Sequence, residues 1–130
     1  MKAIVATKYG PPEVLEPREV AKPTPKANEV LVKVYATTVT AGDSRVRSFT
    51  VPRSFWIPAR LTLGLTKPKK AIPGIVLAGE VEAVGQAVSR FKIGDPVFAM
   101  GGTAMGCHAE YKCLPESGPL AIKPSRLTFE

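Results

Sequence analysis

The stretch Gly74-Ile-Val-Leu-Ala-Gly-Glu-Val-Glu-Ala-Val-Gly85 decides the fold of this chain. From Gly79 onward, charged residues at positions 80 and 82 alternate with the apolar Val81. Glycines stand at positions 74, 79 and 85. Strong β-formers punctuated by glycine are typical of a curved strand, because glycine permits a bend or bulge where a side chain would clash. We therefore predict a curved strand that ends at Gly85.

The sequel Arg90-Phe-Lys-Ile-Gly-Asp-Pro-Val-Phe98 predicts a turn followed by the next strand. Gly94 accepts a positive φ angle, and Pro96 lacks the N–H that a central strand needs. The next strand is expected to start at Val97 and to run to Met100. Neither segment carries a reactive group, so both are predicted to be scaffold.

The rest of the chain indicates a mainly β fold with a few short helices. Thirteen prolines in 130 residues favour short strands joined by ordered turns. Alternating or β-branched segments predict five further strands, at residues 2–6, 14–20, 29–39, 108–114 and 120–123. Pro17 indicates that the second of these is an edge strand or an irregular one.

Two segments are predicted to contain helix, and a third is predicted to lead into one. Residues 40–49 form a helix-compatible turn with Asp43 as its cap, and residues 58–64 form a short helix. Residues 124–130 are expected to lead into a further helix, with Thr128 as a cap. The apolar segment 50–71 is long for a connection, which indicates a lid, a binding loop or a surface that packs on a partner.

Length and cysteine usage predict one soluble domain over residues 1–130. No apolar run reaches transmembrane length, and the apolar residues after Met1 are too few for a secretory signal. Cys107 and Cys113 are too few for a disulfide framework and fit a reducing compartment. The expectation is a cytoplasmic protein with no membrane partner.

The net charge of +7 is localised in one segment. Between positions 45 and 70 there are basic residues and no acids: Arg45, Arg47, Arg53, Arg60, Lys67, Lys69 and Lys70. This patch would attract a phosphate-bearing ligand or nucleic acid, or it is simply a solvated loop. No nucleic-acid recognition motif accompanies it, so no nucleic-acid partner is predicted.

Several motifs, in their order and spacing, resemble a known family over nearly the full chain. They are Met1-Lys-Ala-Ile-Val5, Tyr9-Gly-Pro-Pro-Glu-Val-Leu15, Asn28-Glu-Val-Leu-Val-Lys-Val34, Asp43 with Arg47, Ala78-Gly-Glu-Val-Glu-Ala-Val-Gly85, Arg90-Phe-Lys-Ile-Gly-Asp-Pro-Val97 and Ala109-Glu-Tyr111. Together they resemble the N-terminal, GroES-like domain of medium-chain dehydrogenases/reductases, in the zinc-free quinone oxidoreductase branch.

The resemblance implies a partly open, GroES-like β-barrel followed by a Rossmann domain, with NADPH bound between them. Family members pass hydride from NADPH to a quinone or an enone. This chain contains no strand–Gly-x-Gly-x-x-Gly–helix unit to cradle a pyrophosphate. The expectation is therefore a truncated chain that lacks the cofactor domain, is inactive alone and does not bind NADPH tightly.

The same resemblance argues against zinc. Zinc-dependent relatives carry a Cys and a His-Glu pair where this chain has Thr40, Ile75 and Val76, none of which supplies the ligands that zinc prefers. Cys107, His108 and Cys113 lack metal-ligand spacing and are predicted to be ordinary strand residues. No metal site is predicted.

The candidate site is the turn at residues 40–47. In zinc-free relatives this turn lies under the nicotinamide ribose, which implies cofactor-binding roles for Thr40, Asp43 and Arg47. Thr40 stands where the family has Asn and cannot mimic an amide. Phe55 and Trp56 are candidates for the wall of a flat, apolar substrate site, with core or interdomain packing as the alternatives. No catalytic acid or base is predicted, because the cofactor carries the chemistry.

A second class of function stays open. A GroES-like barrel with an apolar loop can also serve as a stand-alone binding or assembly module without enzymatic activity. If C-terminal strands are missing, a sheet edge is left open, and pairing of such edges would produce a homo-oligomer.

Overall fold

Seven strands, two α-helices and three short 3-10 turns make up the chain, described over residues 1–130 of a computed structural model. The strands are β1 (Lys2–Ala6), β2 (Leu15–Glu19), β3 (Glu29–Thr37), β4 (Val76–Val84), β5 (Pro96–Met100), β6 (Tyr111–Pro115) and β7 (Leu120–Ile122). The helices are α1 (Ala41–Ser48) and α2 (Trp56–Leu63), and the 3-10 turns are Pro12–Val14, Arg53–Phe55 and Gly102–Ala104. No helix is long and apolar enough to cross a membrane.

The strands form two antiparallel sheets that do not close into a barrel. The larger sheet has five strands in the order β6-β3-β4-β5-β7, and the smaller pairs β1 with β2. A single bridge between Ala3 and Ala109 links the two sheets. The predicted mainly β, partly open, GroES-like architecture is confirmed. Pro17 does lie on an edge strand, as its missing N–H requires.

The core lies on one face of the five-stranded sheet. Ten buried residues form it: Val30, Val32, Leu77, Val81, Phe91, Val97, Ala99, Cys107, Leu114 and Leu120. Their spacing of two along β3 and β5 follows from the alternation of side chains in a strand. Full burial of a Val or Leu side chain contributes roughly 1.5–3 kcal/mol, so this cluster supplies most of the driving force for the sheet.

The predicted curved strand is confirmed as β4, at the centre of the large sheet. Its pairing with β3 shifts register twice, between Leu31 and Val32 and between Val34 and Ala36, as expected for bulged strands. Gly79 sits beside the second shift, where a Cβ atom would come within 2.0 Å of the Lys33 carbonyl oxygen. This glycine is needed because two backbones approach closely there, as well as because the strand bends.

Some predicted boundaries are wrong. The strand predicted at residues 108–114 begins only at Tyr111, because His108 is packed against Gly74 and its backbone bonds to the loop before β4 instead. The strand predicted to reach Val39 ends at Thr37. Residues 124–130, which were expected only to lead into a helix, form turns in which the Lys123 ammonium donates to the carbonyls of Pro124 and Leu127.

Candidate functional site

The N-terminus of α1 is fixed by a reciprocal pair of hydrogen bonds. Thr40 has an extended backbone and is the N-cap, so the prediction of Asp43 as the cap is wrong. The Asp43 N–H donates to Thr40 Oγ1 at 3.2 Å, and Asp43 Oδ2 accepts from Thr40 N at 2.8 Å and from Thr40 Oγ1 at 2.7 Å. This arrangement is a capping box, in which each of the two residues accepts a hydrogen bond from the backbone N–H of the other.

Asp43 also ties α1 to the loop that leads into β4. Its side chain is only 4% exposed, and its second oxygen, Oδ1, accepts from the Gly74 N–H at 3.2 Å. Gly74 has a φ of +102° and so requires glycine. A buried carboxylate needs such partners to offset its lost hydration. Asp43 therefore clamps the N-terminus of α1 to the loop before β4, with a hydrogen bond to each of its oxygens.

Arg47 ties the other end of the turn to the N-terminal hairpin. Its Nη1 donates to the Gly10 carbonyl at 2.7 Å, and its Nη2 donates to Ser44 Oγ at 3.3 Å. The Gly10 N–H donates in return to the Arg47 carbonyl at 2.9 Å. The guanidinium still has unused N–H donors. The turn at residues 40–47 is thus anchored at both ends.

An open cavity of about 770 Å³ lies beside this turn, between β1, the end of β3 and α1. Its lining is mainly apolar with a few polar side chains, an arrangement common in small-molecule sites. The polar and charged members include Asp43, Ser44, Arg47, His108 and Glu110. Two of the three predicted cofactor-binding residues, Asp43 and Arg47, therefore meet at one cavity.

His108 is a member of this site that the sequence prediction missed. It is half-buried, and its Nε2 lies 3.1 Å from the Thr38 carbonyl oxygen, at the end of β3. It lies some 60 residues after α1 in the sequence, and backbone hydrogen bonds to Pro73 and Ile4 hold it at this site. No local sequence signal marks it, because its neighbours alternate like those of any strand.

A second cluster, made of Tyr9, Phe49, Trp56 and Arg60, packs α2 against α1. The Arg60 guanidinium carbon lies 3.9 Å from the Phe49 ring centre, 5.0 Å from that of Tyr9 and 5.1 Å from that of Trp56. These distances fit cation–π contacts. Arg60 Nη1 also donates to the Leu65 carbonyl, whereas its buried Nε has no hydrogen-bond partner.

Tyr9 and Phe49 complete this cluster. The Tyr9 hydroxyl donates to the Gly64 carbonyl at 3.0 Å, and its ring lies 5.0 Å from that of Phe49. Burial raises the pKa of Tyr9 above its ordinary value, and the nearby Arg60 charge partly opposes that rise. Phe49 ends α1 with a left-handed φ of 55°, an uncommon conformation for a bulky residue, which the packing around its ring holds in place.

The structure does not bring all the predicted site residues into one cavity. Phe55 and Trp56 are 64% and 48% exposed, and neither lines the cavity beside α1. The Trp56 ring meets the end of α1 at Phe49, whose ring centre is 6.2 Å away. Ile57 and Leu61 of α2 are also exposed, as is Leu65 just after the helix, so this segment presents an uncovered apolar surface.

The two cysteines, and the residues that stand at the zinc-ligand positions of zinc-dependent relatives, form no cluster of metal ligands. Cys107 and Cys113 are free thiols, and burial raises the pKa of each. The chain has no group of three or more His, Cys, Asp or Glu side chains that could hold a metal ion. Ile75 and Val76 are half-buried, and Ile75 packs its Cδ1 against Gly42 of α1.

Comparison with known proteins identifies the family that this fold and site belong to. Residues 26–124 match the alcohol dehydrogenase GroES-like domain. The match covers well over half of the chain, so the chain belongs to this domain family.

The similar proteins include quinone oxidoreductases. That of Sus scrofa is 39% identical over 131 residues, covering 100% of this chain and 36% of that protein. The structure of the Coxiella burnetii quinone oxidoreductase has a TM-score of 0.82 at 29% identity, covering 99% of this chain and 38% of the other. The Escherichia coli quinone oxidoreductase, solved in complex with NADPH, has a TM-score of 0.80 at 26% identity and covers 99% and 35%. This chain therefore spans little more than a third of the length of these relatives.

Proposed function

We propose that this chain is the N-terminal, GroES-like part of an NADPH-dependent oxidoreductase that transfers hydride to a quinone or an enone. A separate Rossmann domain would supply most of the cofactor contacts, so the chain alone would be inactive. The observation that supports this proposal best is the 39% identity with the Sus scrofa quinone oxidoreductase along the whole chain. The similarity to the NADPH complex of the Escherichia coli enzyme supports the choice of cofactor.

The turn at residues 40–47 fits the ribose end of such a cofactor. Thr40 Oγ1 donates to Asp43 and accepts from the Asp43 N–H, so one lone pair remains to accept from a ribose hydroxyl. Arg47 retains its Nε–H and one hydrogen on each terminal nitrogen. Asp43 lines the cavity and positions Thr40 through Oδ2, while its Oδ1 accepts only from the Gly74 N–H and keeps a lone pair for a ribose hydroxyl. NADPH, when bound, supplies the hydride, and the chain's own residues orient it.

We further propose that the reaction needs no zinc. Thr40, Ile75 and Val76 occupy the positions where zinc-dependent relatives carry ligands, and a hydroxyl with two aliphatic chains is a poor donor set for Zn²⁺. Phe55 and Trp56 would then contribute an apolar wall for the quinone ring, at the uncovered surface of α2. The wall would be completed by the domain that follows.

A chimera tests this proposal directly. In it, this chain replaces the aligned 131-residue segment of the Sus scrofa quinone oxidoreductase. The folded chimera is expected to oxidise NADPH with a quinone as acceptor, whereas the chain alone shows neither turnover nor tight NADPH binding by calorimetry. A folded chimera that binds NADPH without reducing quinone would contradict the proposed activity. Stoichiometric tight binding by the chain alone would contradict the need for a second domain.

The chimera also tests the substrate wall. Replacing Trp56 by alanine is expected to raise the KM for quinone about tenfold, since an aromatic stack is worth roughly a kcal/mol beyond its buried area. Ile93→Ala is the matched control, because Ile93 is an exposed apolar residue in the turn before β5, outside α2. Equal KM changes in the two variants would remove Trp56 from the substrate site.

A second candidate function is assembly through an open sheet edge. β7 is the last strand of the large sheet, and Ile122 on it is 49% exposed. Phe98 and Met100, on the outward face of the neighbouring strand β5, are 47% and 55% exposed. An unpaired edge with apolar residues beside it is a template for pairing with another chain. These observations favour a homo-oligomer formed by two β7 edges.

Replacing Ile122 by lysine is expected to abolish this association. A lysine on an edge strand would place two like charges at the centre of a β7–β7 interface and so block pairing. Light scattering over a concentration series should show a concentration-dependent dimer for the wild type and a monomer for the variant. Leu127→Lys, at an exposed position outside any strand, should dimerise like the wild type. A wild type that stays monomeric at high concentration would rule out edge pairing.

A further inference from the structure

A second, smaller pocket shares no lining residue with the cavity beside α1. It measures about 330 Å³ and is lined mainly by apolar side chains, including Val20, Ala21, Pro23 and Ile72. We call it the Lys112 pocket, because Lys112 is the lysine on its wall. Its volume is at the low end for ligand pockets, so only a small apolar molecule would fit.

The Lys112 amine lies at this pocket without a polar partner. A Cβ atom placed on Gly106, which also lines the pocket, would come within 2.8 Å of Lys112 Nζ, so the absence of a side chain there makes room for the amine. The lysine ammonium groups that donate hydrogen bonds are those of Lys22, Lys69 and Lys123. The other amine of the pocket, that of Met1, is paired with Glu19 at 2.9 Å.

The surroundings lower the pKa of this amine below the ordinary value for lysine. Burial is the largest cause that lowers the pKa of Lys112, and the nearby Lys70 charge lowers it further. Cys107, Cys113 and Glu29 act in the opposite direction with smaller effect. The Cys113 thiol shares the pocket, but burial raises its pKa and keeps it protonated, which makes it a weak nucleophile.

We propose that Lys112 is a covalent modification site that captures small apolar aldehydes as a Schiff base. The aldehyde enters the Lys112 pocket, and the lone pair of the neutral amine attacks the carbonyl carbon to form a C–N bond. The two hydrogens of the amine leave with the carbonyl oxygen as water, and a C=N bond remains. No oxidant or reductant is needed for this step. None of the residues that line the cavity beside α1 takes part in this step.

Reductive trapping on the folded chain tests the proposal. The probe is butanal, with cyanoborohydride to reduce the Schiff base, and peptide mass spectrometry gives the rate at each lysine. Near neutral pH, Lys112 is expected to react at least about threefold faster than the exposed Lys92. The reason is that a lower pKa leaves a larger fraction of its amine neutral. A rate at Lys112 equal to or below that at Lys92 would overturn the proposal.

Two variants separate the effect of the pocket from the effect of the nearby charge on the reaction rate of Lys112. Ala21→Leu fills the pocket from an exposed position and is expected to halve the Lys112 rate or more, while Lys92 is unchanged. Lys70→Gln removes a repelling charge, restores part of the Lys112 pKa and should also slow Lys112. Lys67→Gln, another exposed lysine of the same segment, is the matched control and should have no effect. Wild-type rates in both Ala21→Leu and Lys70→Gln would refute the assignment.

Discussion

Replacing Asp43 by alanine is expected to lower the free energy of unfolding by about 3 kcal/mol, a large fraction of the stability of a domain of this size. The substitution removes the acceptor of three hydrogen bonds, from Thr40 N, Thr40 Oγ1 and Gly74 N. Bonds to a charged acceptor contribute about 1.5–3 kcal/mol each, but they do not add fully within one network. The Gly74 N–H would be left buried and unpaired, which adds a desolvation cost.

Urea denaturation measures this effect as a lower midpoint with an unchanged slope. Asp95→Ala is the matched control, because the Asp95 carboxylate accepts one hydrogen bond, from Lys92 N, in an exposed turn. It should cost only about 1 kcal/mol. A loss below about 1 kcal/mol for Asp43→Ala would show that the carboxylate does not clamp α1 to β4.

The sheet was predictable from the sequence because its signals are local. The β-branched run of β3 and the glycine-punctuated run of β4 each indicate a strand without knowledge of the partner. The end of a strand depends on the neighbour that stops pairing, which is why residues 38 and 39 were wrongly included in β3. Likewise, residues 108–110 alternate like a strand, but the close approach of Gly74 to His108 diverts them from the ladder.

The candidate site was predictable only where its residues are close in sequence. Thr40, Asp43 and Arg47 lie on one turn, and a Thr followed three residues later by an acidic side chain carries the signature of a capping box. That pattern points to Thr40 as the cap, yet Asp alone is also a good capping residue, which explains the wrong assignment. His108 reaches the same cavity by tertiary contact alone. The position of His108 at this cavity therefore cannot be predicted from the residues near it in the sequence.

Replacing Gly79 by alanine is expected to lower the free energy of unfolding by about 3 kcal/mol or more. A Cβ atom at this position would lie 2.0 Å from the Lys33 carbonyl oxygen and 3.0 Å from Val32 Cγ1. Both neighbours belong to β3 at the centre of the sheet, so relief requires the two central strands to move apart. That movement would disturb the buried cluster around Val32 and Val81. Overpacking of a well-packed core costs about 1–3 kcal/mol, and a backbone neighbour yields less readily than a side chain.

Gly94→Ala separates this clash from the conformational effect of losing a glycine. Gly94 has a φ of +94° with no atom within 4 Å of the added Cβ, whereas Gly79 has the clash without a positive φ. Gly94→Ala should therefore cost only about 1–2 kcal/mol, through backbone strain alone. Chemical denaturation of both variants compares the two costs, and hydrogen exchange at β3 and β4 should rise only in Gly79→Ala. Equal stability of the two variants would mean that β3 and β4 separate easily. The central sheet would then not be a rigid support for the turn at residues 40–47.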